Sequence, residues 1–257
     1  MTADITLYGY TTSPFVRKVS CHLHYKGLPF DFVGVSPVEP DKTIGFSGGT
    51  QVPVLKISDE WRRDSSKIGH WLDELCPEKP LVSTNRAERD KILEIDDWAS
   101  DQFIPGMIFR AAVDREVDDA FRKRAWRLAE IVSDGATLPE EIKKAWPELL
   151  GQAPFIVNMV NQLDRSEPLE AMQMRLFFEL TQHLGDGPYL GGLPDPSLAD
   201  FAIYPQMMFP YQVGLMNTLP VLEHPTVGPW LERVAGHLPQ NPWSVSEKFI
   251  ANPWPFN

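Results

Sequence analysis

Ile5-Thr-Leu-Tyr-Gly-Tyr10 is β-branched and aromatic, a pattern that suits a short strand. Thr11-Thr-Ser-Pro14 follows, with hydroxyls at a capping position and a proline where a first helical turn needs no N–H. Phe15, Val19, His22 and Leu23 then recur at helical spacing until Gly27. Phe30 to Val35 reads as a second strand, so this strand–helix–strand unit predicts a parallel, right-handed crossover. After a Pro/Gly-rich stretch, Val52–Ile57 and Glu60–Arg63 predict a hairpin about Ser58-Asp59, and Ser65–Leu75 a further helix. Beyond residue 80 the period changes. Ile92, Leu93, Ile95, Trp98, Ala99 and Phe103 form one stripe within Arg86–Phe109, and Phe121–Val132, Leu169–Leu184, Ser197–Met208 and Val227–Leu238 repeat the helical logic. Pro139, Pro147 and Pro154 predict shorter helices and turns across 115–168, and Pro205 and Pro210 a kink or an end near Met207. The fold class is therefore α/β followed by all-α, with an α/β layer over residues 1–80 and a helical domain over 86–257.

Charge divides the chain at the same place. Residues 1–80 hold 9 Lys and Arg against 10 Asp and Glu, whereas residues 81–257 hold 15 against 25, which accounts for most of the net −11. A negative field of that size argues against nucleic acid or an anionic membrane as partner, since phosphate neutralisation needs clustered Lys and Arg. No apolar run approaches the ~20 residues of a membrane span, and the opening residues Met1-Thr-Ala-Asp lack the basic and apolar blocks of a signal peptide. Two cysteines, Cys21 and Cys76, make no disulfide framework and no Cys-x-x-Cys pair, so both read as buried structural thiols in a cytoplasmic protein. His22-x-His24 points two ways from a helix, and no His/Cys/Asp cluster has ligand spacing, so no metal is expected. Gly45–Gly49 lacks the lysine of a phosphate loop, and Arg122-Lys-Arg124 is a solvated helix face.

Four stretches carry a family signature: Ser13-Pro-Phe-Val-Arg-Lys-Val19, Gln51-Val-Pro-Val-Leu55, Asp64-Ser65 before a helix, and Ser197-Leu-Ala-Asp-Phe-Ala202. In this order and spacing they resemble the cytosolic glutathione transferases. The resemblance spans nearly the whole chain and implies a thioredoxin-like N-terminal domain, an all-helical second domain and a homodimer. It implies glutathione as co-substrate and, in serine-type members, a hydroxyl at the Ser13 position that stabilises the thiolate. Thr11 and Thr12 are alternates, and Ser13 as a plain helix cap is the bland reading. Thiol-transferring members carry cysteine here. With serine no mixed disulfide forms at this place.

The chemistry is demanding. A free thiol has a pKa of ~8.5, so the nucleophilic thiolate is a minority at neutral pH. A hydroxyl donor and a helix N-terminus together favour the anion by a few kcal/mol, enough for a shift of about two units. By resemblance, Val52-Pro53 is a cis-proline turn presenting Val52 to the cysteinyl part of glutathione, with Phe15 and Gln51 nearby. Asp64 and Ser65 hold the γ-glutamyl end, although many relatives carry Glu where this chain has Asp64. Lys42 is a further option for the glycine carboxylate. Ser197 and Asp200 have the spacing of a capping box and belong to folding. An electrophile pocket between the domains draws on Tyr10, Phe103, Met107, Phe109, Arg110 and Met207, residues that equally suit plain core. Trp254-Pro-Phe256 either covers that pocket or packs on the bundle, and 115–168 could reshape it. The expectation is transfer of the glutathione thiolate to a small hydrophobic electrophile. The alternatives are a non-catalytic binding protein of the same fold, or a glutathione-dependent isomerase or peroxidase.

Overall fold

The structure, a computed structural model, describes residues 4–114 and 117–256. The opening Met1–Ala3 of the signal-peptide reading, and residues 115–116 at the start of the 115–168 segment, lie outside the described residues. β1 (Ile5–Gly9), α1 (Pro14–Lys26) and β2 (Asp31–Gly34) make the crossover unit. After the short turn α2 (Asp41–Ile44) come β3 (Val54–Ile57), β4 (Glu60–Arg63) and α3 (Ser65–Leu75). The sheet order is β2-β1-β3-β4, with β1 parallel to β2 and antiparallel to β3, so that Leu7 stands opposite Phe32 on one side and Leu55 on the other. This is a thioredoxin-like layer. Its α1 starts at a Ser13 cap, with Pro14 in the first turn, and stops where Gly27 takes a left-handed conformation at φ 69°.

The remainder is helical. α4 (Arg86–Trp98) continues through widened turns at Ala99–Phe103 and Pro105–Phe109 into α5 (Arg110–Asp114). In those turns the N–H of Ile104 bonds the carbonyl of Ala99 and that of Arg110 bonds Pro105, an i→i+5 spacing. Pro105 has no N–H and its ring crowds the preceding turn, so a widened helix is a way through. α6 (Asp119–Gly135), α7 (Glu140–Leu150), α8 (Pro154–Val160), α9 (Leu169–Leu184), α10 (Leu198–Gln212) and α11 (Val227–Ala235) complete the order. A short turn at Glu247–Phe249 follows α11, which ends three residues before the expected Leu238.

The prolines behave less uniformly than the sequence predicts. Pro139 and Pro154 do stand at helix starts, but Pro147 lies buried inside α7. α10 likewise runs through Pro205 and Pro210 to Gln212, past the end expected near Met207. Each interior proline costs about 3 kcal/mol. Helix α10, however, is buried on all sides, and each large apolar side chain such as Phe201, Met208 or Phe209 recovers about 1.5–3 kcal/mol. Burial wins.

The two layers share one core. Leu7, Val19, Leu23 and Ile68 belong to the same buried cluster as Phe201 and Trp230. A second close approach fixes α6 on the sheet edge: a Cβ at Gly34 would stand 1.8 Å from the carbonyl oxygen of Gly135. Trp254 and Phe256 pack against the main core. Cys21 is buried, and burial pushes its thiol up despite the opposing Arg17 charge. Cys76, expected to be buried, is only half-buried at the end of α3. Among the described residues no helix is long and apolar enough to cross a membrane.

Candidate functional site

Two adjoining hollows lie along the first layer. One is a cleft of about 930 Å³ whose walls include Phe15, Gln51, Val52, Pro53, Asp64 and Ser65. These come from α1, the turn before β3 and the start of α3, and all six residues assigned by resemblance to glutathione meet there. The Val52–Pro53 peptide is cis. Lys42 is not on this wall; it is exposed and paired with Glu39 at 2.6 Å, which raises its pKa. The cations of the cleft are Arg62, Arg63 and Lys67 instead, with His70 beside them. Sequence reading missed these four. The one available signal was the polar strand Glu60-Trp-Arg-Arg63, whose charge has no place in a core.

Asp64, rather than Ser65, caps α3. Its Oδ1 accepts the backbone N–H of Ser66 at 3.0 Å and of Lys67 at 3.3 Å, while its own φ is 73°. Aspartate tolerates this left-handed backbone better than most side chains, and such positions often mark functional turns. Ser65 is the first helical residue and is buried. The cleft wall also carries the carboxyl groups of Asp96, Asp97 and Asp101 and the hydroxyl of Ser100, from the α4 region. Burial and the neighbouring Asp96 and Asp101 push the Asp97 carboxyl up.

The second hollow, of about 480 Å³, is mostly apolar and carries Thr12 and Ser13 on its wall. Phe155 of α8 borders both hollows and meets Phe15 edge-to-face, with ring centroids 6.0 Å apart. Ser13 is 6% exposed. Its Oγ accepts the Val16 N–H at a long 3.5 Å, which occupies a lone pair and leaves the hydroxyl proton to donate. Thr11 borders a separate cavity of about 390 Å³ against β2 and α6. Beneath this turn the buried Arg17 guanidinium donates through Nη1 to the carbonyls of Thr11 and Thr12, and through Nη2 to Gln206 Oε1 at 2.7 Å. Burial lowers the Arg17 pKa to about 9.

Of the six residues assigned to the electrophile pocket, Tyr10 and Phe109 line this hollow. Tyr10 is raised above its ordinary pKa by burial. The other four do not line it. Phe103 is buried in the main core, and Met107 and Met207 pack against that core. Arg110 faces α9, donating to the Glu167 and Arg165 carbonyls and to Asp114. For Phe103, Met107 and Arg110 the reason is the pair of widened turns, since an i→i+5 spacing rotates the face that 3.6 residues per turn would have kept, whereas α10 packs Met207 onto the core. The walls come largely from the 115–168 segment, through Arg124 and Leu128 of α6, Trp146 and Leu150 of α7, and Phe155 and Ile156 of α8. No motif announced them.

Ser197 and Asp200 form the expected capping box at α10, and Asp200 also accepts the Leu190 N–H and the Trp230 indole N–H. Burial nevertheless pushes this carboxyl up to about 6, against the pull of those donors.

Residues 7–80 match the glutathione S-transferase N-terminal domain family. Prostaglandin E synthase 2 of Mus musculus is 23% identical over 93% of this chain and 71% of its own length. Among solved structures, FzlA from C. crescentus superposes with a TM-score of 0.60 at 20% identity, covering 98% of this chain and 94% of that one. Human glutathione transferase theta-2, solved in complex with glutathione and an unknown ligand, gives 0.58 at 19% identity over 93% and 84%. Residues 7–80 thus belong with the glutathione S-transferase N-terminal domain, and the chain as a whole, a thioredoxin-like sheet followed by a helical region, has the fold of solved glutathione transferases.

Proposed function

We propose that the chain is a glutathione transferase, with residues 1–80 as the glutathione-binding domain and 86–257 supplying the electrophile pocket. The observation that carries this is the meeting of Phe15, Gln51, Val52, Pro53, Asp64 and Ser65, from separate stretches of sequence, in one cleft that adjoins an apolar hollow at Phe155. In this reading the γ-glutamyl ammonium faces Asp64, and its carboxylate meets Ser65 at the start of α3. Arg62, Arg63 and Lys67 offer charge to the glycine carboxylate. Val52 pairs its backbone with the cysteinyl unit as an added strand pairs with an edge.

The glutathione sulfur then lies by the α1 N-terminus, where Ser13 donates its hydroxyl proton in a hydrogen bond to the thiolate. Such a bond contributes about 1.5–3 kcal/mol, and the helix end somewhat less. The thiolate forms a carbon–sulfur bond with an electrophile held in the apolar hollow. In a substitution the leaving group departs with its electron pair; in an addition the carbon skeleton takes up a proton. The protein would act in the cytoplasm as a homodimer, on a small apolar compound, in detoxification or related chemistry.

Calorimetric titration with glutathione at pH 7, in two buffers of different ionisation enthalpy, tests this. Proton release on binding is expected, and Ser13→Ala should abolish the release while changing affinity less than about threefold. Binding without release would favour a scaffold of the same fold. No binding at millimolar glutathione would end the proposal.

A further inference from the structure

Beneath the turn that carries Thr12 and Ser13, one cation is buried without an anion. Arg17 is 3% exposed, and its Nε has no partner among the described residues. Its Nη1 donates to the carbonyls of Thr11 and Thr12 at 3.2 and 2.8 Å, and its Nη2 to Gln206 Oε1 at 2.7 Å. The guanidinium carbon stands 4.1 Å from the centre of the Phe209 ring. All four partners are neutral. Nearby, Tyr10 at the turn, Cys21 of α1 and Tyr204 of α10 are kept uncharged by burial. Other deeply placed cations are treated differently. Lys18, Lys26 and Arg110, with side chains at most 4% exposed, pair with Asp96, Asp73 and Asp114. Buried charges are ordinarily paired in this way, so the unpaired one marks a place where positive charge is left over.

Where that charge acts follows from the peptide it holds. The Thr11 carbonyl and the Thr12 N–H belong to one peptide plane and point opposite ways. A cation on the oxygen polarises the N–H, and the Thr12 N–H has no partner among the described residues. Thr12 and Ser13 both border the apolar hollow at the start of α1. A free donor and a water-excluded cation thus meet at one turn, and both favour an anion there. We propose that Arg17 is a positioning residue for the thiolate: its unneutralised charge, passed through the Thr11–Thr12 peptide, keeps glutathione ionised beside Ser13. This role rests on the transferase reading. On binding, the sulfur gives its proton to solvent, and the electron pair left on it accepts from the Ser13 hydroxyl and the Thr12 N–H. Gln206 holds the guanidinium in place without cancelling its charge, which a carboxylate at that position would do.

The test titrates the thiol of glutathione bound at saturation, read by the ultraviolet absorbance of the thiolate. In the wild-type protein it should ionise below the ~8.5 of a free thiol. Gln206→Glu sets a carboxylate against Nη2 and neutralises the cation, and Arg17→Met removes it. Each should lower the ionisation constant of the bound thiol about tenfold, whereas Arg17→Lys, which keeps a charge, should stay within about threefold of wild type. Thermal melts separate this from packing, since a merely structural Arg17 would lose stability on Arg17→Met and leave the constant alone. Salt gives a second measurement that needs no variant. The exposed charges near the sulfur, Arg62, Arg63, Lys67, Asp64, Asp97, Asp101 and Arg124, are screened between about 0.01 and 1 M salt, and a buried cation is not. The wild-type constant should therefore change less than about threefold. A larger change with salt, folded Gln206→Glu and Arg17→Met proteins with the wild-type constant, or an Arg17→Lys as impaired as Arg17→Met would each overturn the proposal and leave the transferase standing. A wild-type protein that binds no glutathione, or binds it with the thiol ionising as it does free, would end the transferase reading and this role with it.

Discussion

Lys18 and Asp96, 78 residues apart, form a buried ion pair at 2.5 Å that joins α1 of the sheet layer to α4 of the helical layer. Ser66 closes the triangle, accepting from Lys18 Nζ at 3.0 Å and donating to Asp96 Oδ2 at 2.6 Å. The Lys18 side chain is wholly buried, and Asp96 and Ser66 both border the larger cleft. A buried ion pair is costly to desolvate, so its value here is in registering the two layers beside the cleft rather than in net stability.

Removing one partner should therefore hurt more than removing both. Lys18→Met leaves Asp96 buried and unpaired, at an expected cost of about 3–5 kcal/mol in urea unfolding. The double variant Lys18→Met/Asp96→Leu should recover most of that loss. A single variant within 1 kcal/mol of wild type would contradict the burial of this pair.

Asp64 combines a fold role and a proposed binding role, and asparagine separates them. Asn is an equal cap and also tolerates the left-handed backbone, so Asp64→Asn should change stability by only a few tenths of a kcal/mol. Loss of the charge-assisted bond to an ammonium should weaken glutathione about tenfold. Thermal melts and calorimetry read the two effects independently. Unchanged affinity would remove Asp64 from the site.

The Gly34–Gly135 approach gives an asymmetric pair. A methyl group on Gly34 runs into the Gly135 carbonyl oxygen, whereas one on Gly135 meets nothing closer than 3.5 Å. Gly34→Ala should cost about 1–3 kcal/mol or more, because backbone cannot swing aside as a side chain does. Gly135→Ala should be neutral or slightly stabilising, since alanine is the better helix former. Equal effects in thermal unfolding would place α6 elsewhere.

Asp114 predicts a pH dependence. Partial burial works against its ionised form, but hydrogen bonds and charge from Arg110 and Arg165 outweigh it and hold the carboxyl below its ordinary range. Folded pKa lies below unfolded pKa, so this contribution is present above pH ~4 and is lost as pH falls through the folded value. Asp114→Asn should lower stability at pH 6 and flatten the acid limb as pH falls below ~4, in urea unfolding across that range. A parallel limb in wild type and variant would refute the assignment.

Local chemistry alone determined much of this protein. Alternation in Ile5–Gly9, the hydroxyl-proline start at Ser13-Pro14, the Gly27 stop and the Ser197–Asp200 box are each set by residues within one or two turns of one another. So are the hairpin about Ser58-Asp59 and the helix after Asp64. Only tertiary structure decided the rest. Pro205 and Pro210 stay helical because α10 is buried from every side, which no window of sequence reveals. Phe103, Met107 and Arg110 turn from the hollow because the widened turns about Pro105 change the helical period, and Met207 because α10 packs it onto the core. Trp146, Leu150 and Phe155 reach a hollow begun by Tyr10 and Ser13, and Arg62 and Lys67 reach a cleft shared with Asp96. Spacing along the chain fixes what a segment becomes; which segments face one another across a void is settled by how the layers pack.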